Sequence, residues 1–323
     1  MERYDISFST VAQAFDIPEQ AAKPEGVSLA IGFFDGVHLG HSEVIKKAVA
    51  LARDRGQRSA ALTFDPHPRV VLGKDQYNTI LTPLDRKAAR FAELGVDIVY
   101  VVSFDLGFSQ VTAEQFVGSL LAPLNVSTVV VGFDFRFGHR GQGDPATLRE
   151  LAGGRIDVKV VEPVYLDGAK VSSTRIRAEL ADGHCDRAAL LLGRPYELTG
   201  TVVHGQARGR LIGFPTANLS ADEPYVLPRH GVYAVRAKDG GAEYGGVMNV
   251  GIRPTVDEAG GEPKLEAHLF DFDGDLYGRE LAVQFVKYIR PEKKFGSLEE
   301  LSLQIKRDAD EAREILAETR SLA

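Results

Sequence analysis

Between residues 32 and 41 the chain reads Gly-Phe-Phe-Asp-Gly-Val-His-Leu-Gly-His, with two histidines three positions apart around a glycine-bearing turn. Gly32 and Phe33 enter the turn, and Gly36 and Gly40 let backbone approach a ligand closely. A helix starting there offers unpaired N–H groups to an anion. His38 and His41, at i and i+3, can share one face and donate to phosphate oxygens. Asp35, inside the turn, could receive a metal or shape an Asx turn. The stretch has the parts of a nucleotide-phosphate site.

A second anion-type helix start lies far downstream, at Ser172-Ser173-Thr174-Arg175-Ile176-Arg177. For Ser172 or Ser173 alone, a helix N-cap is the plainer reading. Together the two segments resemble the HxGH and SSTxxR signatures of the class I nucleotidyltransferases. That resemblance implies attack of a phosphate or carboxylate on the α-phosphorus of a nucleoside triphosphate, with pyrophosphate leaving. A phosphate nucleophile is already ionised, so no general base is required. The demand is for alignment of two polyanions and stabilisation of charge on the α-phosphate and the departing pyrophosphate. His38, His41, Arg177 and the N–H groups near Ser172–Thr174 are donors suited to it.

These residues need a scaffold. From Val27 to about Leu180, strand-like runs (Val27–Ile31, Ser59–Phe64, Ile98–Val102, Thr128–Val131, Val158–Val161) alternate with helical patterns near Ser42–Arg55, Leu84–Leu94, Ala113–Leu121 and Pro145–Leu151. Such alternation predicts an α/β domain with a Rossmann-like, mostly parallel sheet covered on both faces. Ligands collect at the carboxyl ends of such strands. The loops there carry Gly32–His41, then Asp65-Pro66-His67-Pro68, then Gly132-Phe133-Asp134-Phe135-Arg136-Phe137-Gly138. The last alternates aromatic residues with charges, which suits either a packed strand end or contacts to a ring system.

After Leu192 glycine becomes dense and short β-branched runs appear at Leu198–Val203, Gly231–Ala237, Tyr244–Val250, Leu265–Leu269 and Leu281–Ile289. They predict a small antiparallel barrel closed by a helix over about Leu298–Leu316. The expected division is a first domain over 1–182, a linker over 183–195 and a second domain over 196–323. Within the second, Gly205, Arg208, Gly209, Gly213 and Pro215 form a glycine- and arginine-bearing segment able to wrap a polyphosphate. In an extended segment Thr216 and Asn218 would put two hard oxygens on one side, a pair suited to Mg²⁺; a glycine-rich hairpin with a Thr-Asn turn is the plainer alternative. Glu266 and His268 face away from Leu265, Ala267 and Leu269. Phosphorylating an alcohol wants a carboxylate near the hydroxyl, but composition alone cannot select Glu266 from 45 acidic residues.

Over both halves, the chain resembles the bifunctional prokaryotic FAD synthetases, in which an FMN adenylyltransferase precedes a riboflavin kinase. GFFDGVHLGH, TFDPHP, VGFDFRFG, SSTRIR, GRLIGFPTAN, GVYAV, NVGIRPT, EAHLFDFDGDLYG and IRPEKKF occur in order from about Val27 to Phe295. The resemblance implies that His38, His41, Ser172, Thr174 and Arg177 bind ATP phosphates. It implies that Asp65, His67, Asp134, Phe135 and Phe137 help place nucleotide and FMN. In the kinase, Thr216 and Asn218 would hold Mg²⁺ with ATP, Glu266 would activate the riboflavin 5′-hydroxyl, and Arg290 and Phe295 would lie near the flavin. FMN and FAD would be intermediate and product rather than prosthetic groups.

Composition bounds the rest. A net charge of −7 argues against a nonspecific nucleic-acid binder. A single cysteine, Cys185, excludes an internal disulfide framework and a Cys-rich zinc site. The opening residues lack signal-peptide character, and no apolar run approaches bilayer length. The expectation is a cytoplasmic enzyme acting on riboflavin, FMN and ATP, with no nucleic-acid or membrane partner; self-association is left open.

Overall fold

The computed structural model describes residues 1–74, 77–205, 213–253 and 262–320. Arg208 and Gly209 lie outside the described residues. The chain divides into two compact units, Met1–Ser173 and Thr174–Ala323.

The first unit is built on seven strands: β1 (Glu2–Ser9), β2 (Ala14–Asp16), β3 (Val27–Ile31), β4 (Arg58–Asp65), β5 (Ile98–Ser103), β6 (Val126–Gly132) and β7 (Asp157–Val161). Their order is β2-β1-β5-β4-β3-β6-β7, and every neighbouring pair except β1–β2 is parallel. All five residues of β3 are buried, as a central strand covered on both faces requires. Alternate residues serve different cores. Leu29 and Ile31 join Leu62, Tyr100, Val129 and Val131 on one face. Ala30 joins Ala61, Val99 and Val130 under Val44, Ile45 and Ala48 of helix α1 (Leu39–Asp54) on the other. Alanines at the middle of β3 and β4 leave room for that helix to pack closely.

The sheet extends beyond the five predicted parallel strands. β1 turns Tyr4, Ile6 and Phe8 to the core and alternates them with charged and polar residues, so its first half reads as polar; β2 is a short antiparallel edge. The helix expected over Ala113–Leu121 is α-helical only at Ala113–Gln115, behind a Thr112/Gln115 capping box, and continues as a π-helical turn, Phe116–Leu121. The wider turn buries Phe116, Val117, Leu120 and Leu121 together.

Because β3 lies between β4 and β6, the strand order reverses beside it. A crevice at such a point is where open α/β sheets bind ligands. The loops after β3, β4 and β6 carry the three motifs read from the sequence.

A two-stranded ladder, β8 (Tyr165–Leu166) and β9 (Ala169–Lys170), completes the first unit. The second unit is a closed barrel of β10 (Tyr196–Val203), β11 (Ala217–Ser220), β12 (Gly231–Asp239), β13 (Ala242–Arg253), β14 (Glu262–Leu269) and β15 (Glu280–Arg290), ordered β10-β11-β14-β13-β12-β15. All its ladders are antiparallel. β11 is a sixth strand beyond the five predicted runs; its short, glycine- and proline-flanked sequence carries too little apolar pattern to announce a strand. Inside the barrel Tyr233 meets Phe285 edge-on at 5.2 Å. On the outside, Val232 and Ala234 take Ala312, Ile315 and Leu316 of the terminal helix (Leu298–Arg320). In the segment between the motif regions, the helix Cys185–Leu192 packs on β10 and β15.

Candidate functional site

In the first unit, the loop after β3 is backbone under constraint. Phe34 has φ 57°, Gly36 φ 86° and Val37 φ 40°. Left-handed backbone is costly for non-glycine residues and most of all for a β-branched one. Burial holds both: Phe34 is 3% exposed and Val37 fully buried. The Phe34 ring stands edge-on to His41 at 5.4 Å and to Phe91 at 5.5 Å. A side chain at Gly32 would strike the Phe34 ring at 2.9 Å.

Asp35 is buried, and its Oδ1 accepts from the backbone N–H groups of Leu81 at 2.8 Å and Thr82 at 3.2 Å. Its carboxylate thereby ties a distant segment to the loop. The Asp35 carbonyl accepts from Ser173 Oγ at 2.9 Å, which joins the second motif to the first. Ser173 also begins the helix Ser173–Asp182, on which Thr174 and Arg177 follow.

His38 caps α1, its Nδ1 accepting from His41 N at 3.2 Å. Gly40 lies against the His38 ring; a Cβ there would come within 3.2 Å of it. Burial, with His38, Lys87 and Lys170 nearby, holds the His41 imidazole well below its usual range. His41 is therefore neutral at neutral pH. Its Nδ1 is buried with no hydrogen-bond partner among the described residues. A buried polar atom of this kind is expensive unless a ligand or water meets it.

After β4, the Asp65–Pro66 peptide is cis and His67 accepts from Arg69 N at 3.0 Å. The His67 ring lies 4.0 Å from Phe33 and 4.9 Å from Tyr77. After β6, Asp134 pairs with Lys170 at 2.6 Å, and Lys170 Nζ sits 4.2 Å over the Phe133 ring. Phe135 stacks on Phe137 at 5.6 Å. Phe137 lines a cavity of about 650 Å³ together with Phe64, Phe104, Phe108 and Phe116. Arg69, Lys74, Arg136 and Arg140 also line it. An aromatic chamber bordered by cations suits a planar ring system carrying a phosphate. Sequence reasoning found Phe137 but missed Phe64, Phe104 and Phe108, whose spacing looks like ordinary core.

The second unit assembles its candidates across three strands. The register sets Asn218 opposite Glu266, and Glu266 opposite Asn249, so the three side chains share one face. Lys264 Nζ lies 2.8 Å from the Glu266 carboxylate. Asn249 Nδ2 donates to Glu292 Oε1 at 3.0 Å, extending the polar row into the segment after β15. Thr216 precedes β11 and is half-buried, as is Asn218. The Asn218 amide occupies the place a Gly205 Cβ would take, so a side chain at Gly205 would displace that amide. Gly213 turns with φ 81°. His268 Nδ1 donates to the Pro215 carbonyl at 2.8 Å, fixing the approach to Thr216. Pro215 and Thr216 line a cavity of about 220 Å³ with Val202, Leu276 and Tyr277, and Tyr277 stacks on His204 at 3.9 Å. Asn249 and the anchoring role of His268 escaped the sequence reading, because alternation alone marks both as solvent-facing.

Arg290 and Phe295 lie together, the guanidinium 5.8 Å from the ring. That guanidinium also grips Asp308 of the terminal helix, at 2.8 and 2.7 Å.

A phosphate-type loop at a sheet switch point and a separate barrel with an oxygen pair beside a carboxylate define a two-site nucleotide-using enzyme. The FAD synthetase family matches residues 20–175 and the riboflavin kinase family residues 192–316. The bifunctional riboflavin kinase/FMN adenylyltransferase of Listeria monocytogenes is 42% identical, over 90% of this chain and 92% of its own. That of Bacillus subtilis is 41% identical, over 92% and 93%. A crystal structure described as a macrolide-efflux protein from Streptococcus pneumoniae superposes with a TM-score of 0.84 at 32% identity, covering 91% of this chain and 96% of that one. Among the described residues here, no helix is long and apolar enough to cross a membrane. The chain belongs to the bifunctional riboflavin kinase/FMN adenylyltransferase family.

Proposed function

We propose that the chain makes FAD from riboflavin in two ATP-dependent steps, phosphorylation to FMN in the barrel and adenylylation of FMN in the α/β unit. What carries this reading is a chain of two compact units that matches both families along its length.

In the barrel, Glu266 takes the proton of the riboflavin 5′-hydroxyl as that oxygen attacks the γ-phosphorus of ATP, the bond to the bridging oxygen breaks and ADP leaves. Asn249 and Asn218, flanking it in register, orient the alcohol and the phosphates. Thr216 and Asn218 are the oxygen donors that would hold Mg²⁺, which screens phosphate charge when bound. Arg290 and Phe295 border the flavin in this reading.

In the α/β unit, the FMN phosphate attacks the α-phosphorus of ATP and pyrophosphate leaves. In this reading His38, His41 and Ser172 bind the phosphates, with the N–H groups of Gly36 and Gly40 in the same segment as the histidines. Neutral His41 offers an N–H donor without adding charge repulsion against His38. The aromatic cavity along Phe64, Phe108 and Phe137 takes the isoalloxazine ring, and Asp65, His67, Asp134 and Phe135 frame its neighbourhood. We place the enzyme in the cytoplasm, acting on three small-molecule substrates.

Incubation with riboflavin, ATP and Mg²⁺, with flavins separated over time, tests the order. FMN rising before FAD is expected. FMN without any FAD would leave only the kinase, and unchanged riboflavin would refute the reading.

A further inference from the structure

The helix Leu84–Glu93 carries one lysine where a core residue belongs. Lys87 is 3% exposed. Its Nζ donates to the Phe33 carbonyl at 2.9 Å, lies 3.4 Å from Thr63 Oγ1 and sits 4.0 Å over the Phe33 ring. Thr63 Oγ1 donates to the same carbonyl at 2.9 Å. A buried ammonium is costly, and an apolar side chain of equal length would fill this space without that cost. What stands above Lys87 is the loop with left-handed Phe34, Gly36 and Val37.

We propose that Lys87 is a positioning residue for adenylyl transfer. Its ammonium clamps the Phe33 carbonyl, holds the Gly32–His38 loop in the shape that receives the triphosphate, and sets a fixed positive charge beneath it. This rests on the adenylyltransferase reading of the first unit. Asp35 works from the other side of the loop, through Leu81 and Thr82, so the strained backbone is gripped at Phe33 and at Asp35.

Three titratable groups face the ammonium electrostatically. Asp35 and Asp65 favour its charge, while His41 is itself held neutral partly by Lys87. Burial wins, bringing Lys87 down to about 8. The clamp is thus charged at neutral pH and loses its charge as pH rises through that value.

The test uses the full chain, whose kinase reaction consumes the same nucleotide without using Lys87. FMN adenylylation by the unaltered enzyme should show an alkaline limb near pH 8 that riboflavin phosphorylation lacks. Lys87→Met should lower kcat/KM for ATP in FAD formation on the order of 10- to 100-fold, remove that limb, and leave FMN formation within about twofold. A folded Lys87→Met variant with unaltered FAD kinetics and the same limb would overturn the proposal. Should the variant misfold, as its thermal transition would reveal, the unaltered enzyme decides: matching alkaline limbs in both reactions would overturn the clamp. No FAD from FMN and ATP in the unaltered chain would instead remove the functional reading beneath it.

Discussion

The imidazoles of His38 and His41 stack with centroids 3.6 Å apart and planes 16° from parallel. Two rings this close resist carrying charge together. Burial settles which form His41 takes, holding its folded-state pKa below the usual 6.5. The unfolded chain therefore binds a proton that the folded chain refuses. Stability should fall as pH drops below about 6.5, by at most about 1.4 kcal/mol per pH unit from this group. His41→Gln should flatten that part of the profile. Denaturant midpoints across the acid range check it; equal slopes in both proteins would contradict the assignment.

Glu2 shows the opposite sign. Hydrogen bonds from Lys23, Tyr4 and Arg58 draw its carboxyl down to about 2. Its contribution is complete above the unfolded value near 4.5 and is lost as pH falls toward 2. Because Glu2 is 39% exposed, solvent screens most of it. Glu2→Gln should cost about 0.5–1 kcal/mol at neutral pH, a difference that urea unfolding should show shrinking in acid.

Gly205→Ala places a methyl group where the Asn218 amide lies. Asn218 must move off its position opposite Glu266. The KM for MgATP in FMN formation should rise about tenfold or more, with FAD formation from supplied FMN unchanged. Steady-state kinetics with each flavin separates the two.

Asp308 is 3% exposed, and the Arg290 guanidinium neutralises it. Arg290→Met should destabilise the second unit by about 3–5 kcal/mol, since it strands a buried carboxylate. Arg290→Met with Asp308→Leu should recover most of that loss. If Arg290 also touches the flavin, the double variant will fold normally yet bind riboflavin more weakly; a riboflavin titration distinguishes the roles.

Much of this architecture was readable before any coordinates. Val-Ser-Leu-Ala-Ile at 27–31 reads as a strand buried on both faces, and it leads into a glycine turn, as the structure has it. The barrel's long strands announced themselves by alternation between turns. β1 and β11 did not, because a strand that buries one face, or only three or four residues, leaves little apolar signal. Lys87 was invisible for a different reason. A lysine on an amphipathic helix reads as solvated, and only the tertiary fold turns it beneath Phe33. Asn249 likewise gains meaning from a cross-strand register that no local pattern encodes. Asp35 stands out in the sequence, but its hydrogen-bond partners, Leu81 and Thr82, lie 46 and 47 residues away and no local pattern points to them.

Two independent sites in one chain, each with one reaction, can be separated by mutation. Flavins are followed in two variants, His38→Ala and Glu266→Gln, each with riboflavin or FMN plus ATP and Mg²⁺. His38→Ala should turn riboflavin into FMN at the normal rate and stop there, with FAD formation down on the order of 10²- to 10³-fold. Glu266→Gln should leave riboflavin untouched yet convert supplied FMN to FAD as before. If each folded variant instead lost both reactions equally, a single shared site would be required and the account would fail.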